Sequence, residues 1–392
     1  MIWETFKTPQ AEKAGDLSFP LLLVNLCRTK RPDLTRKKGT KVTVRDVAVA
    51  AGVSTATVSR VLSRDATLPD GRPVPVSAET RERVYAAAAS LNYTMNHVAR
   101  SLKKGSTRTI AILAPELSND FFMELAEAME KELGASGYML LVSSSSNSAA
   151  EEERRLGVLA ERLVDGIVVV PAASRGEHIQ KIADRGTPVV LVDRLVEGAE
   201  LDAVLADNEA GAFEAVGALL GEGYRRIAFV GGDVSLSNAR ERLAGFGRAM
   251  AGAGLAAGSE ALRLGGMGIE DGYRLTDALL EEDDPPEALF AVNLMVHLGM
   301  ERRLLEEGAE AFERVAVASF DETPYTPFMP ACRYTVAQPA AEMGVAAARL
   351  ILARVGAESP ASARGRPEII RLPTRVKRLE RGRFSGRFEP KR

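Results

Sequence analysis

Residues 42–62 read VTVRDVAVAAGVSTATVSRVL, which is the pattern of two short helices joined by a tight turn. Thr43 and Asp46 have the spacing of a capping box, so a helix is predicted to begin at Thr43. Gly52 can adopt the positive φ that a tight turn requires. Ser54 is a suitable N-cap for the next helix. The stretch therefore predicts a helix-turn-helix.

The second predicted helix has one apolar and one polar side. Val58, Val61 and Leu62 form the apolar side. The other side carries short side chains and one arginine, which suit close approach to base edges and phosphates: Thr55, Ala56, Thr57, Ser59 and Arg60. A third helix is predicted to start at Ser77, in VSAETRERVYAAAASLNY. This pattern alone leaves two interpretations, a DNA-binding domain or a generic three-helix cap on a larger domain.

Charge is distributed unevenly along the chain. The net charge is −2, but residues 41–104 carry +5 and residues 371–392 carry +7, whereas residues 105–370 carry −18. A small basic domain joined to a large acidic one favours contact of the small domain with a polyanion. Residues 1–40 contain polar, basic sequence and are predicted to be a disordered extension. An alternative is that translation starts near Lys41.

Composition excludes several other classes of protein. The 46% hydrophobic and 27% charged content is ordinary for a globular protein, and no apolar run is long enough for a membrane span. The N-terminal residues lack the pattern of a secretory signal peptide, so no such signal is expected. Two distant cysteines suit a reducing compartment, and the three scattered histidines have no metal-ligand spacing. These features predict a cytoplasmic protein without metal or cofactor.

Three segments occur in order and resemble the DNA-binding headpiece of the LacI/GalR family of transcriptional regulators: VTVRDVAVAAGVSTATVSRVL, VSAETRERVYAAAASLNY and NHVARSL. The resemblance implies a hinge helix over 95–102 that folds on the operator, with Leu102 wedged between bases in the minor groove. Met95 replaces the proline that the family usually has there, and the loop from Ser63 to Val76 is longer than the common form. The predicted DNA-binding residues are Thr43, Ser54, Thr55, Ala56, Thr57, Ser59, Arg60, Ser77, Asn96, Ala99 and Leu102.

From Thr109 onward, predicted strands alternate with predicted helices. Two such sets follow each other, the first beginning with TIAILAP and the second with RRIAFVGG. This alternation predicts a doubly wound parallel α/β fold in two lobes with a cleft between them. Residues 109–376 resemble the effector-binding core of the same family, which is similar to periplasmic sugar-binding proteins. The predicted domains are the extension (1–40), the helix-turn-helix domain with hinge (41–104), the two-lobed effector-binding and dimerisation domain (105–376) and a basic tail (377–392).

Ligands of open α/β sheets bind beyond the carboxyl ends of the strands. Residues at those predicted ends, or able to reach them, are Ser118, Asn119, Phe121, Phe122, Asp193, Arg194, Asp207, Asn208, Arg242, Asn293, Phe320 and Asp321. Phe121 and Phe122 have an alternative role in the core, and Asp207 and Asn208 one as a helix cap. With the resemblance, the residues expected to contact an effector are Phe121, Asp193, Arg242, Asn293 and Asp321, with Phe122, Asn238 and Met267 behind them.

The resemblance implies a transcriptional repressor whose operator affinity is controlled by a small molecule. A sugar or sugar derivative is the first expectation, and a nucleobase or nucleoside corepressor the second. Two departures limit the choice: Leu294 follows Asn293 where the family usually has aspartate, and the only tryptophan is Trp3. Release from DNA on ligand binding is favoured over corepression.

Paired hinge helices imply at least a homodimer on a near-palindromic DNA operator, with a tetramer as the alternative. The sequence has no P-loop, dinucleotide fingerprint or nucleophile elbow. An enzyme and a secreted solute-binding protein are therefore remote alternatives.

Overall fold

The computed structural model describes residues 42–62, 76–93, 106–162, 164–255, 258, 261–356 and 366–379. The chain divides between Met95 and Asn96 into two compact units, a helical headpiece and an α/β core. The predicted hinge helix, with Asn96, Ala99 and Leu102, lies outside the described residues, as does the extension 1–40.

The headpiece contains three helices: α1 (Val44–Ala51), α2 (Thr55–Leu62) and α3 (Ala78–Ser90). The backbone N–H of Thr43 donates to the Asp46 carboxylate over 2.8 Å, which confirms the predicted capping box. Gly52 ends α1 with φ of 65°, as the turn requires. Fully buried valines from all three helices form one small apolar core: Val47, Val58 and Val84.

The core alternates strands and helices along the chain. In order, these are β1 (Thr109–Ala114), α4 (Asp120–Ala135), β2 (Met139–Ser144), α5 (Ala149–Glu161), β3 (Gly166–Val169), α6 (Glu177–Asp184), β4 (Val189–Val192), β5 (Asp202–Ala206), α7 (Asn208–Gly221), β6 (Ile227–Val230), α8 (Ser237–Gly252), β7 (Leu262–Arg263), α9 (Ile269–Leu280), β8 (Ala288–Ala291), α10 (Leu294–Glu307), α11 (Ala309–Arg314), β9 (Ala316–Phe320), β10 (Cys332–Ala337), α12 (Ala340–Val355), β11 (Ile369–Leu372) and β12 (Arg375–Arg378).

The strands form two six-stranded sheets, one in each lobe. Lobe 1 has the order β11-β5-β4-β3-β1-β2 and is wholly parallel. Lobe 2 has the order β12-β10-β9-β8-β6-β7, with β12 antiparallel. Because the central strands are buried on both faces, they are nearly continuous apolar runs, such as VVLV in β4. The predicted two-lobed doubly wound fold is confirmed.

The chain crosses between the lobes three times: after β5, after β10 and between β11 and β12. Helix α7 packs in lobe 2 against α8, β9 and β10, although it directly follows a strand of lobe 1. Helix α12 packs in lobe 1 against α4 and β3–β5, although it directly follows a strand of lobe 2. Neither lobe is therefore one continuous stretch of sequence.

The predicted start of the basic tail at residue 377 was wrong. Lys377 and Arg378 belong to β12, where Lys377 lies opposite Thr335 of β10. Basic side chains are common on edge strands because they discourage further pairing, so basic composition did not distinguish this strand from a tail. Among the described residues, no helix is both long and apolar enough to cross a bilayer.

Candidate functional site

Helix α2 has the exposed face expected of a DNA-reading helix. Thr55, Ala56, Ser59 and Arg60 are exposed, and Thr57 is half-buried. Val58 and Val61 point into the headpiece core, which fixes the orientation of α2. The side chains on the outward face are short apart from Arg60, so the helix backbone can approach a groove closely.

Three of the predicted DNA-binding residues cap helices. Thr43 caps α1, the Ser54 hydroxyl accepts from the Thr57 N–H over 3.1 Å, and the Ser77 hydroxyl accepts from the Thr80 N–H over 3.2 Å. Helix N-termini attract anions, because their unpaired N–H groups and the helix dipole point at them. These residues are thus placed to present helix ends to phosphates as well as to contact DNA themselves.

Arg242, on α8, is the central residue of the predicted effector cleft. Its guanidinium is fully buried, and its Nε donates to Asn208 Oδ1 over 2.9 Å and its Nη1 to the Val292 carbonyl over 2.7 Å. It also lies 3.9 Å above the Phe320 ring. Among the described residues, no group accepts a hydrogen bond from its buried Nη2. Donor capacity at this atom is therefore left for a ligand.

The negative charges of two buried carboxylates, Asp321 and Asp193, attract the Arg242 guanidinium. Burial lowers the pKa of Arg242, and the attraction of Asp321 and Asp193 opposes that effect. Burial also raises the pKa of Asp321, against the opposing effects of Arg242 and of the Gln338 amide that donates to it. The charges partly compensate each other, so the cluster combines acceptors and donors without a large net charge.

Asp193, at the end of β4, connects the two lobes. Its backbone lies in the left-handed region, with φ of 70°, a costly conformation for a residue with a side chain. Asn238 of lobe 2 donates to its Oδ2 over 2.9 Å. Nearby, the Leu195 N–H of lobe 1 donates to the Ser237 hydroxyl of lobe 2 over 2.8 Å. These two hydrogen bonds join the two lobes.

The remaining predicted cleft residues have roles in the local structure. Asn293 caps α10 through the Val296 N–H, and its amide donates to the Met267 carbonyl over 3.0 Å. Asp207 caps α7, which is the alternative role expected for it. Phe121 and Phe122 pack edge-to-face in the core of lobe 1, with ring centroids 5.2 Å apart. Ligand contact by the two phenylalanines stays a prediction.

Sequence reasoning missed three polar groups of the cleft. Ser237 and Gln338 received no side-chain role, although Ser237 bridges the lobes and Gln338 holds Asp321. Burial and the nearby Asp120 side chain of lobe 1 raise the pKa of Tyr325, which belongs to lobe 2. Ser237 contacts a group of the other lobe, whereas Gln338 and Asp321 follow neighbouring strands of lobe 2. Local sequence contains no signal for such pairs, because the fold alone brings the two segments of each pair together.

Two family descriptions match the chain. "Bacterial regulatory proteins, lacI family" matches residues 43–96, and "Periplasmic binding proteins and sugar binding domain of LacI family" matches residues 107–375. A similar curated protein is the HTH-type transcriptional repressor PurR of Vibrio campbellii (strain ATCC BAA-1116). It is 30% identical over 315 residues, which are 80% of this chain and 92% of that protein.

Solved structures of similar proteins share both parts of the fold. The transcriptional regulator CelR in complex with cellobiose is 27% identical, with a TM-score of 0.63 over 87% of this chain and 100% of its own. The Lac repressor bound to ONPG in the repressed state is 25% identical, with a TM-score of 0.73 over 86% of this chain and 99% of its own. The chain therefore belongs to the LacI family of bacterial regulatory proteins, as a DNA-binding transcriptional regulator and not an enzyme.

Proposed function

We propose that this chain is a cytoplasmic repressor that reads an operator through α2 and is released from it by a small polyhydroxylated ligand, a sugar or sugar derivative. The observation that carries the ligand class is the buried cluster of Arg242, Asp193 and Asp321, in which no described group accepts from Nη2 of the arginine. Sugar hydroxyls both donate and accept, so they satisfy carboxylates and a guanidinium at one site.

The ligands of two similar proteins support this class. The CelR structure is a complex with cellobiose, and the Lac repressor structure is bound to ONPG. The mixed charge of the cleft favours a ligand without a large net charge. A ligand that binds between the lobes stabilises one angle between them. It changes operator affinity only to the extent that it binds the conformation that holds DNA and the conformation that releases it with different affinity.

The proposed DNA-binding unit is a homodimer. One edge of the lobe 1 sheet is β2, and its apolar side chains are unusually exposed: Met139 (67%), Leu141 (41%) and Val142 (41%). An unpaired apolar edge strand favours association with another chain. Two-fold symmetry would then place two headpieces on the half-sites of a near-palindromic operator.

The test begins with a thermal-shift screen of neutral mono- and disaccharides, with nucleosides as the competing class. The ligand that binds is then titrated into the operator complex of wild type, Arg242→Ala and Asp321→Ala. Arg274→Ala, at an exposed arginine of lobe 2, is the matched control. We expect the wild type and the control to release DNA on ligand binding. The two cleft variants should bind operator but respond to the ligand weakly or not at all.

Operator binding without ligand shows that each variant is folded. A full response in both cleft variants would place the ligand elsewhere. A screen in which only nucleosides bind would overturn the proposed ligand class and leave the regulatory function intact.

A further inference from the structure

A series of hydrogen bonds connects lobe 1 to the buried guanidinium of Arg242. Arg371 of β11 donates from both terminal nitrogens to the Glu241 carboxylate of α8, over 3.1 Å each. The Asn208 amide donates to the same carboxylate over 3.0 Å, and the Asn208 carbonyl oxygen accepts from Arg242 Nε over 2.9 Å. Arg371 lies in lobe 1 and the other three residues lie in lobe 2. These four residues form a polar relay between the lobes.

The orientation of the Asn208 amide decides whether it can hold Arg242. An asparagine amide has one end that accepts and one that donates, whereas a guanidinium only donates. Asn208 is buried, and its NH2 group faces two acceptors, Glu241 and the Ala206 carbonyl, at 3.0 and 3.3 Å. Turning the amide over would set donor against donor at Arg242 and acceptor against acceptor at Glu241. The carboxylate therefore fixes the amide in the orientation that accepts from Arg242.

Glu241 is in turn held from lobe 1 by Arg371. A bidentate contact between a guanidinium and a carboxylate fixes the orientation of the carboxylate as well as its position. Arg371 Nη1 also donates to the Ala206 carbonyl over 3.2 Å, at the end of β5, where the chain crosses from lobe 1 to lobe 2. The ion pair therefore joins the two lobes beside one of their crossings.

The two hydrogen bonds of Arg242 determine the direction of its remaining nitrogen. Asn208 holds Nε at 2.9 Å, and the Val292 carbonyl holds Nη1 at 2.7 Å. Because a guanidinium is planar, fixing two of its nitrogens also fixes the third. That third nitrogen is Nη2, from which no described group accepts. Loss of the Asn208 contact would let Nη2 turn away from a ligand.

We propose that Glu241 is a positioning residue of the effector site. It orients Asn208, Asn208 orients Arg242, and Arg371 controls this series from lobe 1. The proposal rests on the proposed function, which assigns Nη2 of Arg242 to the ligand. The contact between Arg371 and Glu241 then contributes to effector affinity without touching the effector.

The test is NMR spectroscopy of the full chain with isotope-labelled arginine and without ligand. The Nε–Hε signal of Arg242 is identified by its absence from Arg242→Lys, and its hydrogen exchange reports how firmly Asn208 holds it. Glu241→Met removes the acceptor and should speed this exchange by about tenfold, as expected for the loss of one hydrogen bond to a charged group. Glu241→Gln keeps an acceptor oxygen for Asn208 and should restore most of the protection.

A double-mutant cycle tests whether Arg371 acts through Glu241. Arg371→Met alone should have a smaller effect than Glu241→Met, because the carboxylate stays but is no longer held. Added to Glu241→Met, it should have no further effect, since the relay is already interrupted. The matched control is Glu209→Gln, which breaks an exposed ion pair with Arg248 between the same two helices. It should leave the exchange of Arg242 unchanged.

Three outcomes would overturn the proposal. The first is a wild-type exchange rate of the Arg242 signal in Glu241→Met. The second is equal acceleration in Glu241→Met and Glu241→Gln, which would exclude orientation of the Asn208 amide as the cause. The third is an equal effect of Arg371→Met with and without Glu241. Because no ligand is present, an error in the proposed ligand class would leave these results unchanged and would show only in the saccharide screen.

Discussion

Arg242 and Asp321 are ionisable groups buried inside the α/β core, and the charged form of each is stabilised by the opposite charge of the other. Burial works against the charged form of both, lowering the pKa of Arg242 and raising that of Asp321. Removing one of the two leaves the charge of the other buried and unpaired. The loss in free energy of unfolding then exceeds what the pair contributes to stability. The cluster is thus both the proposed ligand site and a source of pH-dependent stability.

Arg242→Met should lower the free energy of unfolding by about 3–5 kcal/mol, the usual cost of leaving a buried charge unpaired. Without Arg242, the raised pKa of Asp321 rises further above the ordinary value of 3.8. A carboxyl whose pKa is raised in the folded state loses stability as pH rises through that pKa. Urea unfolding should therefore show a larger deficit at pH 8 than at pH 5. Arg274→Met is the control, and an equal deficit at both pH values would contradict this explanation.

Ala56 is the exposed second residue of α2, where a larger side chain would reach different base edges. Ala56→Gln should change the preferred operator sequence, with each altered base pair costing about 1–3 kcal/mol. Binding-site selection from a randomised DNA library measures the preference. Glu82→Gln, an exposed change on α3, serves as the control. An identical consensus for Ala56→Gln and wild type would remove α2 from base recognition.

At the scale of elements, α10 contains a buried polar pair beneath the loop that follows β9. His297 Nε2 lies 3.3 Å from Glu301 Oε1, and the Ala331 N–H donates to the same oxygen over 3.2 Å. Burial disfavours the charged imidazole, but contacts with Cys332 and Glu301 outweigh burial and raise the pKa of His297 to about 10. The folded state therefore holds this proton more tightly than the unfolded chain does.

The stability that comes from His297 is fully present below pH 6.5, its ordinary pKa, and is lost as pH rises toward 10. The free energy of unfolding should fall by about 3 kcal/mol between pH 6.5 and pH 9, since one pKa unit corresponds to about 1.4 kcal/mol. His297→Gln should flatten this slope, and Glu301→Gln should reduce it. Chemical denaturation across that range measures both. A slope that persists in His297→Gln would assign the pH dependence to other groups.

The elements that were predicted correctly are those with strong local signals. The capping box at Thr43, the turn at Gly52 and the apolar strands of both lobes lie within short windows of sequence. Helix α12 and strands β11 and β12 were not predicted. The lobe to which each of them belongs is decided by contacts far away in sequence, such as the pairing of Val376 with Val336. Local composition contains no information about such pairing.

The residues of the candidate site also fall into a group that was predicted and a group that was not. Asp193 and Asp321 were predicted from their places after strands together with the family resemblance. Asn238 and Arg242, on α8, were expected with that resemblance, and the structure brings these residues together. Ser237 and Gln338 gain their roles only from contacts formed when distant segments meet. Residue type and position therefore predict which strand ends line the cleft, but not which side chains bridge it.

At the scale of the whole molecule, the exposed edge of β2 predicts how the subunits associate. Leu141→Lys should shift the protein toward monomers, because it places a charge on an apolar edge. The variant should also weaken operator binding, since two tethered headpieces bind more tightly than one. Leu305→Lys is the matched control, at a leucine of α10 that is 59% exposed. Sedimentation and operator titration measure both effects, and a dimer retained in Leu141→Lys would move the interface to another face.

The three crossings between the lobes have a consequence for synthesis on the ribosome. Lobe 1 begins at β1, but its α12 and β11 are translated only after almost all of lobe 2. The headpiece, which is continuous in sequence, can fold as soon as it leaves the exit tunnel. At about 5–20 residues per second, tens of seconds pass before β11 follows. During that interval a nascent chain already has its DNA-reading helix, while the part that would sense a ligand is still incomplete.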